Sequence, residues 1–121
     1  MRILLAEDEK LLSKAIVKIF EKNNYSVDAV FNGKDALTYI QLGNYDCAVL
    51  DIMMPHEDGV QVLRKIREFS TVPALFLTAK IHENDKAEAY ESGGDDYLTK
   101  PFSQNELLKR RSSLQSIHCF F

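Results

Sequence analysis

The sequence predicts an α/β protein: an open sheet of parallel strands with helices on both faces. Strand-like and helix-like stretches alternate about five times along the 121 residues, the pattern of strands joined by crossover helices. The first, third and fourth strand-like runs are almost continuously apolar, as strands covered on both faces must be. Each run then stops on a polar residue. RILLA (2–6) stops on Glu7-Asp8, CAVL (47–50) on Asp51, ALFL (74–77) on Thr78, and Tyr97-Leu98-Thr99 on Lys100-Pro101. The carboxyl ends of strands in an open parallel sheet share one edge, where ligands bind. Three carboxylates, a hydroxyl and an ammonium are therefore predicted to meet in one pocket.

The elements follow in chain order. Strands are predicted at 2–7, 26–30, 46–51, 73–78 and 96–99; the second, SVDAV, alternates and is expected at an edge. The stretch 10–23 places Leu12, Ile16, Ile19 and Phe20 on one helical face, with Lys10, Lys14, Lys18 and Glu21 outward and Asn23-Asn24 as a stop. The stretch 34–42 buries Ala36, Leu37 and Ile40 and ends at Gly43-Asn44. Asp58 caps a helix running to about Phe69, with Leu63 and Ile66 inward. Asn84 or Asp85 opens a fourth helix ending near Gly93-Gly94, and Ser103 with Glu106 forms a capping box for a fifth. In that fifth helix Leu107, Leu114, Ile117 and Phe121 make an apolar stripe that Arg111 interrupts. Fraying is expected there, or a chain that does not end naturally.

The length is that of one domain, 1–121, able to bury a core. Hydrophobic residues at 45% and charged residues at 27% are ordinary for a globular chain. A net charge of -3 argues against this chain binding nucleic acid alone. No apolar run approaches a membrane span, and no signal-peptide pattern opens the chain. Cys47 and Cys119 form no metal or redox motif. A reduced, cytoplasmic location without membrane contact is expected.

The predicted pocket has a chemistry. Two carboxylates about 4 Å apart repel by roughly 4 kcal/mol at an effective dielectric near 20, so Glu7, Asp8 and Asp51 together call for a cation. An all-oxygen set without His or Cys suits a hard ion, Mg²⁺ rather than Ca²⁺ where a phosphate must also be accepted. Lys100 adds a counter-ion for Asp51 and a clamp for phosphate. Carboxylate, metal, lysine and the Thr78 hydroxyl fit phosphoryl transfer.

The motifs ILLAEDE, VLDIMMPHEDG, LFLTAK and GGDDYLTKPF resemble those of the response-regulator receiver domain of two-component signalling, over nearly the whole chain. The resemblance implies a flavodoxin-like (βα)5 three-layer sandwich with strand order 2-1-3-4-5. It implies a signalling switch rather than an enzyme, in which Asp51 accepts a phosphoryl group from a sensor histidine kinase. Asp8, Asp51 and the Met53 carbonyl would hold Mg²⁺, with Glu7 acting through water. Thr78 and Lys100 would hold phosphoryl oxygens, helped by backbone N–H groups near Met53 and Ala79. Lys100-Pro101 is the family's cis peptide, which an X-Pro bond tolerates, and Tyr97 with Thr78 matches its switch pair. Met53 and Lys80 stand where the family tunes phosphoryl lifetime.

Gly94-Asp95-Asp96-Tyr97, Glu106 and Arg110 further resemble the OmpR/PhoB-type transcription factors. That likeness implies a homodimer through the fourth helix, fifth strand and fifth helix, with Lys86 pairing Glu106 and Asp96 pairing Arg110 across it. Arg111 and Ser112 depart from the pattern. The subfamily's DNA-binding effector domain is not in this sequence. The alternatives are a stand-alone receiver acting by docking and an aspartyl-phosphate phosphohydrolase, which needs a second acid where Met53 stands. His56, His82 and His118 are read as solvated, Met53-Met54 as packing or lining the pocket rim, and Arg64, Lys65 and Arg67 as a solvated helix face.

Overall fold

A computed structural model describes residues 1–54, 58–78 and 94–110. In chain order the elements are β1 (Arg2–Ala6), α1 (Lys10–Lys22), β2 (Ser26–Val30), α2 (Gly33–Leu42), β3 (Cys47–Asp51), α3 (Gly59–Ile66), β4 (Ala74–Thr78) and β5 (Asp96–Thr99). Residues 104–110 are helical. The five strands form one sheet in the order β2-β1-β3-β4-β5, and every pairing is parallel. The α/β class and the 2-1-3-4-5 order are as expected.

Strand alternation explains the layers, because neighbouring residues point to opposite faces. Leu4, Ala6, Ala48, Leu50, Ala74, Phe76 and Tyr97 belong to one core, with Ala36 and Ile40 of α2 and Val60, Leu63 and Ile66 of α3. Ile3, Leu5, Cys47, Val49, Leu75, Leu77 and Leu98 belong to the other, with Ile16 and Phe20 of α1 and Leu107. All five residues of β3 and of β4 are buried, which is why those runs carry no polar residue before their last.

Several local details follow from side-chain chemistry. The Asn32 side chain accepts from the backbone N–H of Asp35, and that of Asp58 from Gln61, so both helices start one residue after a capping Asx. Ser103 and Glu106 form the expected reciprocal capping box. Asn24, at φ 69°, takes the left-handed conformation that turns α1 into β2.

The structure also corrects the sequence reading. α3 ends at Ile66 and continues as turns over 67–69 rather than as helix. β2 is an edge strand, but its middle three residues are all half-buried instead of alternating. Ser13 of α1, on which the sequence pattern gave no expectation, is buried. Arg67 is not a solvated face residue: it is half-buried, and its guanidinium reaches the Ser70 carbonyl and Asp95 at 3.3 Å each. Asp95 in turn accepts from the N–H of Ala74, so the pair joins the end of α3 to the starts of β4 and β5. The fourth helix, His56, Ala79, Lys80, His82, Lys86, Arg111, Ser112, His118 and Cys119 lie outside the described residues. Among the described residues no helix is long and apolar enough to cross a membrane.

Candidate functional site

The strand ends meet as the topology requires. β1 and β4 flank β3, so Glu7 and Asp8 approach Asp51 from one side and Thr78 from the other. Parallel pairing sets the depth: Ala6 is level with Leu50, and Leu77 with Asp51. One carboxylate oxygen each from Glu7, Asp8 and Asp51 lies within 4.8 Å of the others. Glu7 and Thr78 are fully buried, Asp51 nearly so, and Asp8 is half-exposed.

Lys100 reaches this cluster from the end of β5. Its Nζ lies 2.6 Å from Glu7 Oε1 and 3.3 Å from Asp51 Oδ2. The lysine was expected as a counter-ion to Asp51, and its shorter pair is with Glu7. Its backbone N–H donates to the Thr78 carbonyl at 2.7 Å, which ties the residue to the end of β4. The Lys100–Pro101 peptide is cis, as expected. Glu7 is further held by the Glu9 N–H, 3.1 Å from Oε2.

The electrostatics are unbalanced, with two buried carboxyls against one ammonium. For Asp51, burial raises the pKa first, then the hydrogen bond and charge of Glu7; Lys100 opposes these, and the carboxyl is pushed up to about 7. Burial also raises Glu7, but hydrogen bonds to Asp51, Lys100 and the Glu9 N–H outweigh it and hold Glu7 below its ordinary value. Burial lowers Lys100, yet its hydrogen bond to Glu7 and the two negative charges leave it raised. The two carboxyls and the ammonium thus titrate together, and burial with the neighbouring Glu7 opposes ionisation of Asp51. A divalent cation at the three oxygens would relieve that opposition. The donors are all hard oxygens, which fits Mg²⁺.

The loop after β3 completes the site. The Met53 N–H donates to Asp51 Oδ1 at 3.1 Å, while the Met53 side chain is exposed. Gly59 at the start of α3 packs on the Asp51 carbonyl so closely that a Cβ would collide with it. Nothing in the sequence pattern marked that contact, because it is made between backbones.

The remaining predicted residues are placed as follows. Tyr97 is buried in the core shared with α2 and α3. Arg110 lies 3.4 Å from both carboxylate oxygens of Asp96 within the same chain. Glu106 is engaged with the Ser103 N–H.

A family model described as the response regulator receiver domain matches residues 3–112. The transcriptional regulatory protein DltR of Streptococcus agalactiae is 47% identical over 111 residues, which are 91% of this chain and 50% of that protein. The chain spans about half the length of the curated relatives it matches. Among solved structures, the receiver domain of a Francisella response regulator is 39% identical, with a TM-score of 0.91 over 97% of this chain and 98% of that one. The Thermotoga maritima response regulator TrrA, in complex with Mg²⁺-BeF, is 31% identical with a TM-score of 0.85, over 93% of this chain and 97% of its own. Sheet order, the acidic cluster beside a lysine, and a family match over almost the full length agree: this chain belongs to the response regulator receiver domain family.

Proposed function

We propose that the chain is a phosphorylation-activated signalling switch whose Asp51 accepts a phosphoryl group from a sensor histidine kinase in the presence of Mg²⁺. One observation carries this reading: three carboxylate oxygens, those of Glu7 and Asp51 buried, lie within 4.8 Å of one another beside the Lys100 ammonium. An acidic cluster of that kind suits a cation and an incoming dianionic group better than it suits stability.

Asp8, Asp51 and the Met53 carbonyl would hold the metal, with Glu7 acting through water because its own oxygen is engaged by Lys100. Mg²⁺, when bound, would neutralise the carboxylates and the charge on the transferring phosphoryl oxygens. Asp51 attacks phosphorus through a carboxylate oxygen, the P–N bond to the kinase histidine breaks, and its electron pair stays on the imidazole nitrogen. Lys100, already 3.3 Å from Asp51, turns its ammonium toward the phosphoryl oxygens. The Met53 N–H and the Thr78 hydroxyl donate to the same group, and the movement of Thr78 is coupled to Tyr97. Met53 offers no second acid to expel the phosphoryl group, which favours a switch over a hydrolase.

The OmpR/PhoB-like residues and the relatives named transcriptional regulatory proteins support a role as the cytoplasmic regulatory half of a transcription regulator. DNA contact then belongs to an effector domain outside this chain. Dimerisation through Lys86, Asp96, Glu106 and Arg110 would require Arg110 to exchange its partner within the chain for one across the interface.

Beryllofluoride with Mg²⁺ tests the reading. Amide resonances of Thr78 and Tyr97 are expected to shift in the wild-type chain and to stay fixed in Asp51→Asn. An unchanged wild-type spectrum would count against the proposal.

A further inference from the structure

We infer that Gly59 is a positioning residue for the phosphoacceptor, an inference that rests on the receiver reading of Asp51. The backbone of Asp51 and Ile52 is held from two sides. The Ile52 N–H donates to the Leu77 carbonyl at 3.0 Å, which ties it to β4, and the Ile52 carbonyl accepts from the Gly59 N–H at 2.7 Å. Between these contacts the Cα of Gly59 rests on the Asp51 carbonyl. A Cβ there would collide with that oxygen and lie 3.0 Å from both the Asp51 carbonyl carbon and Ile52 Cα. All three atoms are backbone, so no side-chain rotation relieves the contact.

The consequence reaches the carboxylate because the same peptide carries it. Asp51 is the last residue of β3, and the next N–H but one, Met53, fixes its Oδ1. A methyl group on residue 59 must push the 51–52 peptide or lift the first turn of α3. Either movement shifts the Asp51 carboxylate against Glu7, Asp8 and Lys100. The cap supports the same docking: the Asp58 side chain accepts from the Gln61 N–H at 2.9 Å and holds the helix start where Gly59 meets Ile52.

The glycine at the other edge of the sheet provides the control. A Cβ on Gly43 would lie 2.8 Å from the Tyr45 ring and 3.2 Å from the Tyr39 carbonyl, far from the carboxylates. The test compares wild type, Gly59→Ala and Gly43→Ala by thermal unfolding, calorimetric Mg²⁺ titration and the rate of phosphorylation by phosphoramidate at saturating Mg²⁺. Both variants are expected to unfold at lower temperature. Only Gly59→Ala is expected to lose about tenfold to a hundredfold in phosphorylation rate, with a matching fall in Mg²⁺ affinity. Equal losses in the two variants, or wild-type values in Gly59→Ala, overturn the inference. Should Gly59→Ala not fold, the cap decides. Asp58→Ala must weaken Mg²⁺ binding while Asp58→Asn, which caps as well, must not; the opposite pattern refutes the positioning role. A wild-type chain that takes no phosphoryl group refutes the receiver reading, and the Mg²⁺ affinities of the variants still decide the role of Gly59.

Discussion

The two edges of the sheet use the same kinds of residue to opposite ends. At the amino edge Arg2 pairs with Asp28 at 2.8 Å, stacks over the Tyr45 ring at 4.7 Å, and donates its N–H to Asp46 at 2.8 Å. The Tyr45 hydroxyl donates to Asp28 at 2.7 Å. The Arg2 and Asp28 side chains are nearly half-exposed, and opposite charges face each other. At the carboxyl edge Glu7 and Asp51 are buried together with one lysine between them. Their charges conflict, and water is largely excluded. The first arrangement contributes modestly to the fold; the second costs stability that a metal and a phosphoryl group can recover. The contrast separates residues that serve folding from residues that serve chemistry.

Removing the single cation should break the carboxyl edge most severely. Lys100→Met leaves two buried carboxyls with no counter-charge, and a loss of about 3–5 kcal/mol is expected in denaturant unfolding at pH 8 without Mg²⁺. Millimolar Mg²⁺ should restore part of it. Asp51→Asn should act in the opposite sense. It abolishes phosphoryl uptake yet removes a carboxylate that ionises against burial and Glu7, so the metal-free chain should gain roughly 1–3 kcal/mol at pH 8.

A pH series sharpens the same point. Asp51 has a folded pKa of about 7 against an ordinary 3.8. Its contribution is complete below the unfolded value and is lost as pH rises through about 7, so the metal-free chain should weaken between about pH 5 and 7. Glu7, held below its ordinary 4.5, acts in a separate window, losing its contribution as pH falls below that value. Stabilisation by Mg²⁺ should therefore grow from pH 5.5 to pH 8. Melting curves with chelator and with Mg²⁺ read this directly, and a constant Mg²⁺ increment would contradict it.

The amino edge should give the smallest effect. Tyr45→Phe deletes one hydrogen bond and should cost about 0.5–1.5 kcal/mol without altering Mg²⁺ affinity. Asp28 is held below its ordinary 3.8 by the Tyr45 and Arg2 hydrogen bonds, so its contribution is lost in acid below that value. Burial, then the hydrogen bond to Asp28, pushes Tyr45 up to about 12, and its contribution is lost between about pH 10 and 12. Both windows should flatten in the variant.

By itself, the sequence determined the alternation of strands and helices, the apolar cores, the Asp58 and Ser103 caps, and the gathering of Glu7, Asp8, Asp51, Thr78 and Lys100 at one edge. Those features are legible because periodicity and capping are local, and because parallel topology fixes which ends of strands share an edge. Only the tertiary structure decided that Lys100 lies closer to Glu7 than to Asp51, and that Arg67 serves Asp95 rather than solvent. It alone placed Arg110 on Asp96 in its own chain, and Gly59 against the Asp51 carbonyl. Each of these is a choice among partners distant in sequence, or a contact between backbones. Distances of a few tenths of an ångström settle such choices, and no pattern of residue types encodes them.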